Sequence, residues 1–305
     1  MNEIDVVIPA HNAEPFLAEA VRSALRQTLA PKRVIVVDDG STDRTAEVAA
    51  SFGERVILVR HERCRGLPAA RNSGIRAGDA PLVALLDADD AWLERHLERA
   101  AAEFARHPHI GLCYAQVVDC DENLRPISTR KFRRREAEDV FDELYMSAFP
   151  IPPSAAVLRR EALERCGMFD ERLLKAQDFE CWLRIAMLYP ISCIDEPLCL
   201  RRNHARSITQ GSDPERVLHY DALCFKACEE AAARLGRRLP IPAERRIVIG
   251  RRRRMREALA GGDLEAARVF RETLRREGAL RAADRVRFAA GAALVLARRA
   301  VRRFR

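Results

Sequence analysis

Two neighbouring carboxylates stand directly after an apolar segment in the first part of this 305-residue chain. The run 34–37 (Val-Ile-Val-Val) predicts a buried strand, and Asp38 and Asp39 follow it at once. A turn that contains helix-capping residues comes next, through Asp43. Capping explains Asp43, but it does not explain two adjacent carboxylates at the exit of a buried strand. The pair is therefore a candidate binding site.

A second acidic cluster follows the apolar run 82–86. Asp87, Asp89 and Asp90 place three carboxylates within four residues, and such groups repel one another unless a cation lies among them. Hard divalent ions such as Mg²⁺ or Mn²⁺ take oxygen ligands and often share them with substrate phosphates. The Asp-x-Asp segment therefore predicts a divalent-metal site.

A third acidic pair, Asp178 and Glu180, opens a predicted helix whose apolar face carries Trp182. From its position alone, Asp178 is either a helix cap or a general base, and the position favours the cap. The sequence contains neither Gly-x-x-x-x-Gly-Lys-[Ser/Thr] nor Gly-x-Gly-x-x-Gly. A bound nucleotide would then be held by carboxylates, arginine and a metal ion.

The elements that position these carboxylates follow from the spacing of the apolar residues. Over the first 110 residues, short β-branched runs alternate with helical patterns; the predicted strands are 4–9, 34–37, 56–59 and 82–86. Uninterrupted apolar strands are typical of parallel strands covered on both faces. The predicted fold class is α/β, an open, mostly parallel sheet with helices on both faces, which binds ligands beyond the carboxyl ends of its strands.

The rest of the chain is predicted in less detail. Between residues 110 and 205 the predicted features are a strand at 110–118, a basic mobile segment at 126–136, a proline corner at 150–153, a strand at 155–158 and helices at 160–166 and 178–188. Beyond residue 212 the pattern is helical, with breaks at Pro240, Pro242 and the Gly261-Gly262 pair. This part is a helical extension of the sheet domain.

The net charge of +8 is divided unevenly along the chain. Residues 211–305 hold 24 basic and 12 acidic side chains (+12), whereas residues 1–210 hold 29 and 33 (−4), so a nucleic-acid partner is not expected. The last predicted helix carries an apolar stripe flanked by arginine: Val286, Ala290, Ala293, Ala297, Val301 and Phe304. That stripe either lies on an anionic membrane surface or packs on the body.

The cysteines and the chain ends bear on localisation. Nine cysteines without a Cys-x-x-Cys pair predict reduced thiols, and the acidic N-terminus does not resemble a secretory signal. The longest apolar run, 288–297, is too short for a bilayer span. We expect a cytoplasmic protein, peripheral at the inner face of the cell membrane if the last helix binds lipid.

Six segments, in order between residues 4 and 204, resemble the family 2 glycosyltransferases with the GT-A fold. The matching segments are 6–12 (Val-Val-Ile-Pro-Ala-His-Asn), 37–43 (Val-Asp-Asp-Gly-Ser-Thr-Asp), 66–74 (Gly-Leu-Pro-Ala-Ala-Arg-Asn-Ser-Gly), 86–92 (Leu-Asp-Ala-Asp-Asp-Ala-Trp), 177–184 (Gln-Asp-Phe-Glu-Cys-Trp-Leu-Arg) and 202–204 (Arg-Asn-His). The last hundred residues are not covered by the resemblance.

The resemblance implies roles for the residues that would surround a nucleotide-sugar donor. Asp39 would read the base, with Asp38 in the same turn, and Arg71 would lie along the base or the diphosphate. Asp89 would approach the ribose. The residues that would line the nucleotide pocket are Pro9, Ala10 and Asn12.

It also implies roles at the metal and the acceptor. Asp90 would ligate a divalent cofactor, Mn²⁺ or Mg²⁺, and His204 would help to hold the metal or the diphosphate. Asp178 would be the catalytic base. The residues that would contact the acceptor or support the site are Asp87, Gln177, Glu180 and Trp182. Gln177 stands where the family usually has Glu, which we interpret as an altered acceptor contact.

The function implied by the resemblance is inverting transfer of a sugar from a nucleotide-diphospho-sugar, with uridine as the favoured base, to an acceptor hydroxyl. The acceptor would be a saccharide or a lipid-linked molecule in cell-surface polysaccharide or glycolipid assembly. The domains would be a donor half (1–110), an acceptor half with the catalytic base (111–210) and a basic helical extension (211–305).

Other classes of protein fit the sequence less well. A nucleotide-sugar-binding protein without transferase activity is the main alternative, and Gln177 is the feature that supports it. A nucleotidyltransferase would need a phosphate loop rich in glycine and lysine, which the segment 11–14 does not supply. An RNA-binding tail would need aromatic residues among its arginines, and a processive synthase would need a Gln-x-x-Arg-Trp motif.

Overall fold

The chain folds into two units. The computed structural model describes residues 3–303 apart from 134, 148, 150 and 206–212. One unit comprises residues 1–207 with 234–237, and the other comprises 208–233 with 238–305. The boundary predicted between residues 210 and 211 lies outside the described residues, as does Pro150 of the predicted proline corner.

The first unit is built on one large sheet. Its strands are β1 (Ile4–Ala10), β2 (Arg33–Asp39), β3 (Ile57–His61), β4 (Leu82–Leu85), β5 (Ala91–Trp92), β6 (Leu112–Cys120), β7 (Pro126–Arg130), β8 (Arg135–Glu138), β9 (Ala156–Arg159) and β10 (Ile191–Arg202). Its α-helices are α1 (Leu17–Leu25), α2 (Thr45–Ala50), α3 (Leu67–Ala77), α4 (His96–Arg106), α5 (Phe141–Ser147), α6 (Arg160–Cys166) and α7 (Gln177–Leu188).

The strands follow the order β3-β2-β1-β4-β9-β6-β10-β5, with β7 beside β6 and β8 beside β10. Strands β3, β2, β1 and β4 are mutually parallel, and β6 is parallel to β10. Strand β9 runs antiparallel to both β4 and β6 and joins these two groups. The predicted α/β class with an open, mostly parallel sheet is confirmed, and both halves predicted for the domain contribute strands to this one sheet.

Alternate residues of β1 point to opposite faces of the sheet. Val6 and Ile8 belong to the main core, which α1 covers through Leu17. Val7 faces α3, where a Cβ atom placed on Gly74 would lie 2.4 Å from Val7 Cγ1. Only glycine permits so close an approach of α3 to β1. The approach fixes the position of α3, which carries Arg71 one turn before Gly74, nearer the carboxyl ends of the strands.

The sequence prediction for this unit was incomplete in several places; α4, α5 and β5, for example, were not predicted. The segment 126–136, predicted only as basic and mobile, contains β7 and the start of β8, with residues 131–133 between them. Strand β10 was not predicted at all. Its apolar pattern is interrupted at 195–197 (Asp-Glu-Pro), where the pairing with β6 shifts register, so no continuous strand pattern is visible in the sequence.

The ring of His96 is fully buried at the start of α4. It stacks on Trp92 with 4.5 Å between ring centroids and 16° between ring planes. Neither ring nitrogen has a hydrogen-bond partner among the described residues. Burial lowers the pKa of His96 from 6.5 to about 3, so the folded protein keeps this ring neutral.

Replacement of His96 by Phe is expected to make the first unit less sensitive to acid. The unfolded ring takes up a proton below its ordinary pKa of 6.5 and the folded ring does not, so acid lowers the free energy of unfolding. From about pH 7 to pH 5, this difference removes about 2 kcal/mol from the wild type but not from the variant. Urea unfolding followed by the fluorescence of Trp92 and Trp182 measures it. Equal acid sensitivity in the two proteins would contradict the prediction.

The second unit is helical, as predicted for the extension. Its helices are α8 (Pro214–Leu235, whose last residues join the first unit), α9 (Ala243–Gly261), α10 (Leu264–Arg276) and α11 (Ala282–Arg303). Its core is a cluster of side chains from these helices that includes Met255, Phe270 and Phe288. Over the described residues, no helix combines the length and the apolar composition needed to cross a bilayer.

The four consecutive arginines at 251–254 are held within the second unit. Arg251 binds Glu277, and Arg252 Nε donates to Asp284 Oδ2 over 3.0 Å. The remaining two ion pairs of this run are Arg253 with Glu257 at 3.5 Å and Arg254 with Asp221 at 3.4 Å. This part of the positive charge therefore stabilises the unit internally.

Candidate active site

The predicted site residues converge at the carboxyl ends of the parallel strands. Asp38 and Asp39 are the last two residues of β2, and the acidic cluster that begins with Asp87 follows β4. Strand β10 ends at Arg202, two residues before His204. The sheet thus brings segments that lie far apart in sequence to one edge, where open α/β sheets bind their ligands.

The carboxylate of Asp39 is buried and fully hydrogen-bonded. Its oxygens accept hydrogen bonds from His61 Nδ1 at 2.6 Å and from the backbone N–H groups of Arg65 and Gly66 at 2.9 and 2.8 Å, with Cys64 Sγ at 3.4 Å. Burial raises the pKa of Asp39, but these hydrogen bonds outweigh it and bring the net pKa below the ordinary value. Asp39 therefore anchors the loop that leads into α3.

The turn after β2 is joined to the loop after β1. Asp38 is buried and accepts from the backbone N–H of Ser41 at 3.1 Å. Asn12 has a positive φ of 50°, and its Oδ1 accepts from the backbone N–H of Thr42 at 2.9 Å. Pro9 and Ala10 are buried at the end of β1, whereas Asn12 is exposed. Of the predicted pocket residues, Asn12 is the one whose side chain reaches solvent.

Arg71 links the acidic cluster to the start of α7. Its guanidinium is fully buried, and it donates to Asp87 Oδ1 over 2.7 Å and to Gln177 Oε1 over 2.8 Å. The same group lies 5.4 Å from the ring centroid of Phe169. Gln177 is a neutral acceptor, so Asp87 is the only carboxylate hydrogen-bonded to Arg71 among the described residues.

Asp178 is the second residue of α7, and the N-cap position falls on Ala176, which has a positive φ of 59°. The capping role considered for Asp178 is therefore not the one it has in the structure. Its Oδ1 accepts from the backbone N–H of Phe179 at 2.8 Å, and its other oxygen has no partner in the described part of the chain. Burial raises the pKa of Asp178; the positive charge of Arg71 opposes this rise and the negative charge of Asp87 adds to it.

His204 contacts Asp89 rather than Asp90. His204 Nε2 lies 2.9 Å from Asp89 Oδ2, and the His204 ring packs on Phe16 with 4.6 Å between centroids. The side chain of Asp89 is 33% exposed, and its pKa is raised by burial and by the charge of Asp87. A partly exposed carboxylate, that of Asp89, and a largely buried imidazole, that of His204, thus lie together at this edge of the sheet.

Asp90 faces the interior. It is 5% exposed, its Oδ2 accepts from Ser154 Oγ at 2.6 Å, and its Oδ1 accepts from the backbone N–H of Arg202 at 2.9 Å. Burial, with the charges of Asp89 and Asp87, raises the pKa of Asp90 well above the ordinary value. Both oxygens of Asp90 thus bind groups that hold the end of β4 to β10 and to the turn before β9. The role of Asp90 as a metal ligand stays a prediction.

Two residues of the site, His61 and Ser154, were not predicted, and a third, Arg202, was predicted only as part of a motif, without a role. His61 and Ser154 hold Asp39 and Asp90, and Ser154 Oγ also accepts from the backbone N–H of Asp87 at 3.0 Å. Arg202 donates to the backbone carbonyl of Asp89 at 2.7 Å. The Arg-x-His segment marked Arg202, but nothing in the local sequence distinguishes Ser154 from other serines.

Comparison with known proteins identifies the family. Residues 5–167, just over half of the chain, match the sequence profile described as "Glycosyl transferase family 2". The chain belongs to the family 2 glycosyltransferases. A relative in Bacillus subtilis, described as the uncharacterized glycosyltransferase EpsJ, is 29% identical over 217 residues, which are 68% of this chain and 63% of that protein. The chain thus matches less than two thirds of the length of that relative.

Solved structures share the glycosyltransferase fold. S. aureus TarS 1–349 in complex with UDP-GlcNAc superposes with a TM-score of 0.68 at 17% identity, covering 96% of this chain and 90% of the TarS chain. The mannosyltransferase PcManGT from Pyrobaculum calidifontis, in complex with GDP-Man and Mn²⁺, superposes with a TM-score of 0.58 at 21% identity, covering 96% of this chain and 80% of that one. At these identities the likeness shows the fold.

A divalent ion fits the groups that this glycosyltransferase presents. The described residues contain no cluster of three or more His, Cys, Asp or Glu side chains that could enclose a metal. Asp89 and His204 offer two ligands, and the buried His204 Nδ1 has no partner in the described structure. Two protein ligands suit an ion such as Mn²⁺ or Mg²⁺ that shares its remaining positions with phosphate and water.

Two predicted site residues of the glycosyltransferase lie in its interior. Glu180 is buried and binds Arg184 through two hydrogen bonds of 2.6 and 2.7 Å. Trp182 is fully buried, and its Nε1 donates to the backbone carbonyl of Ile151 at 3.0 Å. Of the two roles that the sequence left open for them, support of α7 is the one compatible with their burial.

Proposed function

We propose that the protein transfers a sugar from a nucleotide-diphospho-sugar, a UDP-sugar, to an acceptor hydroxyl with inversion at the anomeric carbon. The observation that carries this proposal is the position of Asp178. It has one unpartnered oxygen in the described structure, and it directly follows Gln177, which binds the buried Arg71. The proposed base therefore lies within the electrostatic field of a fixed positive charge. The UDP-GlcNAc complex of TarS, a protein of the same fold, supports the choice of uridine.

The proposed reaction is a single displacement. Asp178 takes the proton of the acceptor hydroxyl, whose oxygen forms a bond to the anomeric carbon while the bond from that carbon to the diphosphate oxygen breaks. The leaving diphosphate keeps the electron pair of the broken bond, and Arg71 stabilises its developing charge. Because the attack comes from the face opposite the leaving group, an α-linked donor gives a β-linked product.

The proposed metal ligands are Asp89 and His204. A divalent ion held by these two residues would supply positive charge to the donor diphosphate. The contact between Asp89 Oδ2 and His204 Nε2 at 2.9 Å supports this assignment, because a metal ion would take the place of the proton that these two atoms share. The Mn²⁺ complex of PcManGT, which has the same fold, supports the choice of a divalent ion.

The proposal keeps the two halves predicted for the domain, with the donor in 1–110 and the acceptor in 111–210. The nucleotide lies against Asn12 and the turn after β2, with Asp39 holding the loop that closes this side. The acceptor is a saccharide or lipid-linked molecule of cell-surface polysaccharide or glycolipid assembly. A peripheral position at the inner face of the membrane would depend on α11.

Metal-dependent release of UDP from UDP-sugars tests the proposed function. The full chain is expected to release UDP from at least one of a panel of UDP-sugars in the presence of Mn²⁺ and to lose this activity with EDTA. Addition of EDTA followed by excess Mn²⁺ is the control for damage by the chelator. Donor binding without UDP release, over the whole panel and with acceptor mixtures present, would instead identify a nucleotide-sugar-binding protein.

A further inference from the structure

Helix α11 has apolar residues on two opposite faces. One face packs into the core of the second unit through Phe288 and Val295, which are 7% and 5% exposed. The opposite face, here called the outer face, consists of Val286, Ala290, Ala293, Leu294, Leu296 and Ala297, and all six are exposed. Val286 is 69% exposed, Leu294 54% and Leu296 56%. A helix that is apolar on both sides is expected to bury both, and the unit covers only one.

The outer face contains the stripe predicted from the sequence. Val286, Ala290, Ala293 and Ala297 of that stripe lie together on the exposed side, so they do not pack into the core of their own unit. The side chains of Val301 and Phe304 lie outside the described residues. The sequence left open whether this stripe packs on the protein or on a membrane. Because its four described members are exposed, they are not packed against the rest of the second unit.

Arginines border the outer face on both sides. At about 100° per residue, Arg285 and Arg287 fall on opposite edges of the apolar arc. Both are exposed, and neither forms an ion pair within the described residues. The only acid of α11, Asp284, is buried and binds Arg252 at 3.0 Å. Four more arginines follow in the sequence of the helix, at 298, 299, 302 and 303.

We propose that the outer face of α11 is a docking surface for an anionic membrane. The helix would lie in the plane of the interface, with Val286, Leu294 and Leu296 among the acyl chains. Arg285 and Arg287 would contact lipid phosphates. An apolar arc between two unpaired cationic edges is complementary to a surface that is apolar inside and negatively charged outside.

A second copy of the chain fits this surface less well. A parallel pair of α11 helices would bring identical arginines together, and an antiparallel pair would bring residues 285 and 287 towards residues 298 and 299. The outer face offers no carboxylate to compensate, because Asp284 is buried and paired. Like charges on both edges therefore oppose self-association, whereas anionic lipids relieve the repulsion.

Vesicle co-sedimentation of the full chain tests the proposal. The probes are vesicles of phosphatidylcholine alone and vesicles in which about one third of the lipid is phosphatidylglycerol. The wild type is expected to bind the anionic vesicles, to bind the neutral ones much more weakly, and to lose affinity as salt shortens the range of the charges. Equal binding to both vesicle types, or none to either, would overturn the proposal.

Two sets of variants separate the apolar and the cationic contributions. The triple change Val286→Ser, Leu294→Ser and Leu296→Ser is expected to abolish binding. Its control is Ile57→Ser with Ile127→Ser, which removes exposed apolar side chains from the first unit. The double change Arg285→Gln and Arg287→Gln should weaken binding roughly 25-fold, about fivefold for each arginine. The control for this double variant is Arg256→Gln with Arg268→Gln, which removes the same charge from two exposed arginines outside α11.

Circular dichroism and sedimentation equilibrium complete the design. Loss of binding by the triple variant counts for the proposal when its helical content and melting temperature match those of the wild type. Retention of wild-type binding by that variant would overturn it, as would a lipid-free dimer of the wild type that the triple variant abolishes. The assay needs no donor and no turnover, so its outcome is independent of the proposed transferase activity.

Discussion

The variant Asp178→Asn is expected to lower kcat for sugar transfer by at least about 100-fold while leaving donor affinity nearly unchanged. Asparagine has almost the same shape and can still accept the hydrogen bond from the backbone N–H of Phe179 that Asp178 accepts at 2.8 Å. It cannot accept a proton from the acceptor hydroxyl. Steady-state kinetics with acceptor present, together with UDP binding by calorimetry, separate the loss of the base from a loss of binding.

The pH dependence gives this variant a second signature. Burial raises the pKa of Asp178, and the base must be ionised to act, so wild-type activity is expected to fall as the pH drops through this raised pKa. The acid limb of the profile therefore lies above the ordinary range of an aspartate, and residual activity of Asp178→Asn should lack it. An unchanged acid limb in the variant, or turnover near that of the wild type, would remove Asp178 from the role of base.

Asp142→Asn is the matched control for this variant. Asp142 is the second residue of α5, as Asp178 is the second residue of α7, and it is exposed. The two substitutions remove the same charge from the same position of a helix, where a carboxylate stabilises the N-terminus by a few tenths of a kcal/mol to about 1 kcal/mol. Only Asp178→Asn should reduce turnover.

The parts of the fold set by local pattern could be predicted from the sequence. The apolar run at 34–37 identified β2, and the helical spacing after residue 177 identified α7. Strand β10 could not be predicted because its identity as a strand depends on pairing with β6, which tolerates the Asp-Glu-Pro interruption through shifts in register. A local stretch of about ten residues carries no information about pairing with a strand some 80 positions away.

The same limit applies to the orientation of the site residues. Asp89 and Asp90 are neighbours of the same type, and the sequence gives no means of deciding which of them faces the solvent. The orientation of each side chain depends on a distant partner: Ser154 donates a hydrogen bond to the buried Asp90, and His204 contacts Asp89. These partners are 64 and 115 residues away. Residue type and spacing predicted the cluster, but tertiary contacts assign its members.

Helix α11 illustrates a further limit. Its spacing placed Val286 and Ala290 on one stripe, and the structure keeps them together. Phe288 and Val295 form a second apolar face on the opposite side, and these are the residues that enter the core. With apolar residues on both faces, periodicity alone cannot say which face is covered.

Asp89→Asn is expected to raise the Mn²⁺ concentration needed for half-maximal activity at least about 100-fold, whereas Asp90→Asn should change it by less than about tenfold. Asp89 is the partly exposed carboxylate that meets His204. Asp90 is buried against Ser154 Oγ and the backbone N–H of Arg202. An asparagine can keep both contacts, since its oxygen accepts from the N–H and its amide donates to the hydroxyl.

Direct metal binding separates this effect from changes in catalysis. The electron paramagnetic resonance signal of free Mn²⁺, measured with UDP present, reports how much of the ion each protein binds. Asp90→Asn should bind Mn²⁺ like the wild type, and Asp89→Asn and His204→Ala should both leave most of the ion free. The reverse order, with Asp90→Asn losing the metal and Asp89→Asn keeping it, would return the metal to Asp90. It would also require Ser154 and β10 to release that carboxylate when donor binds, because in the structure its two oxygens already bind protein groups.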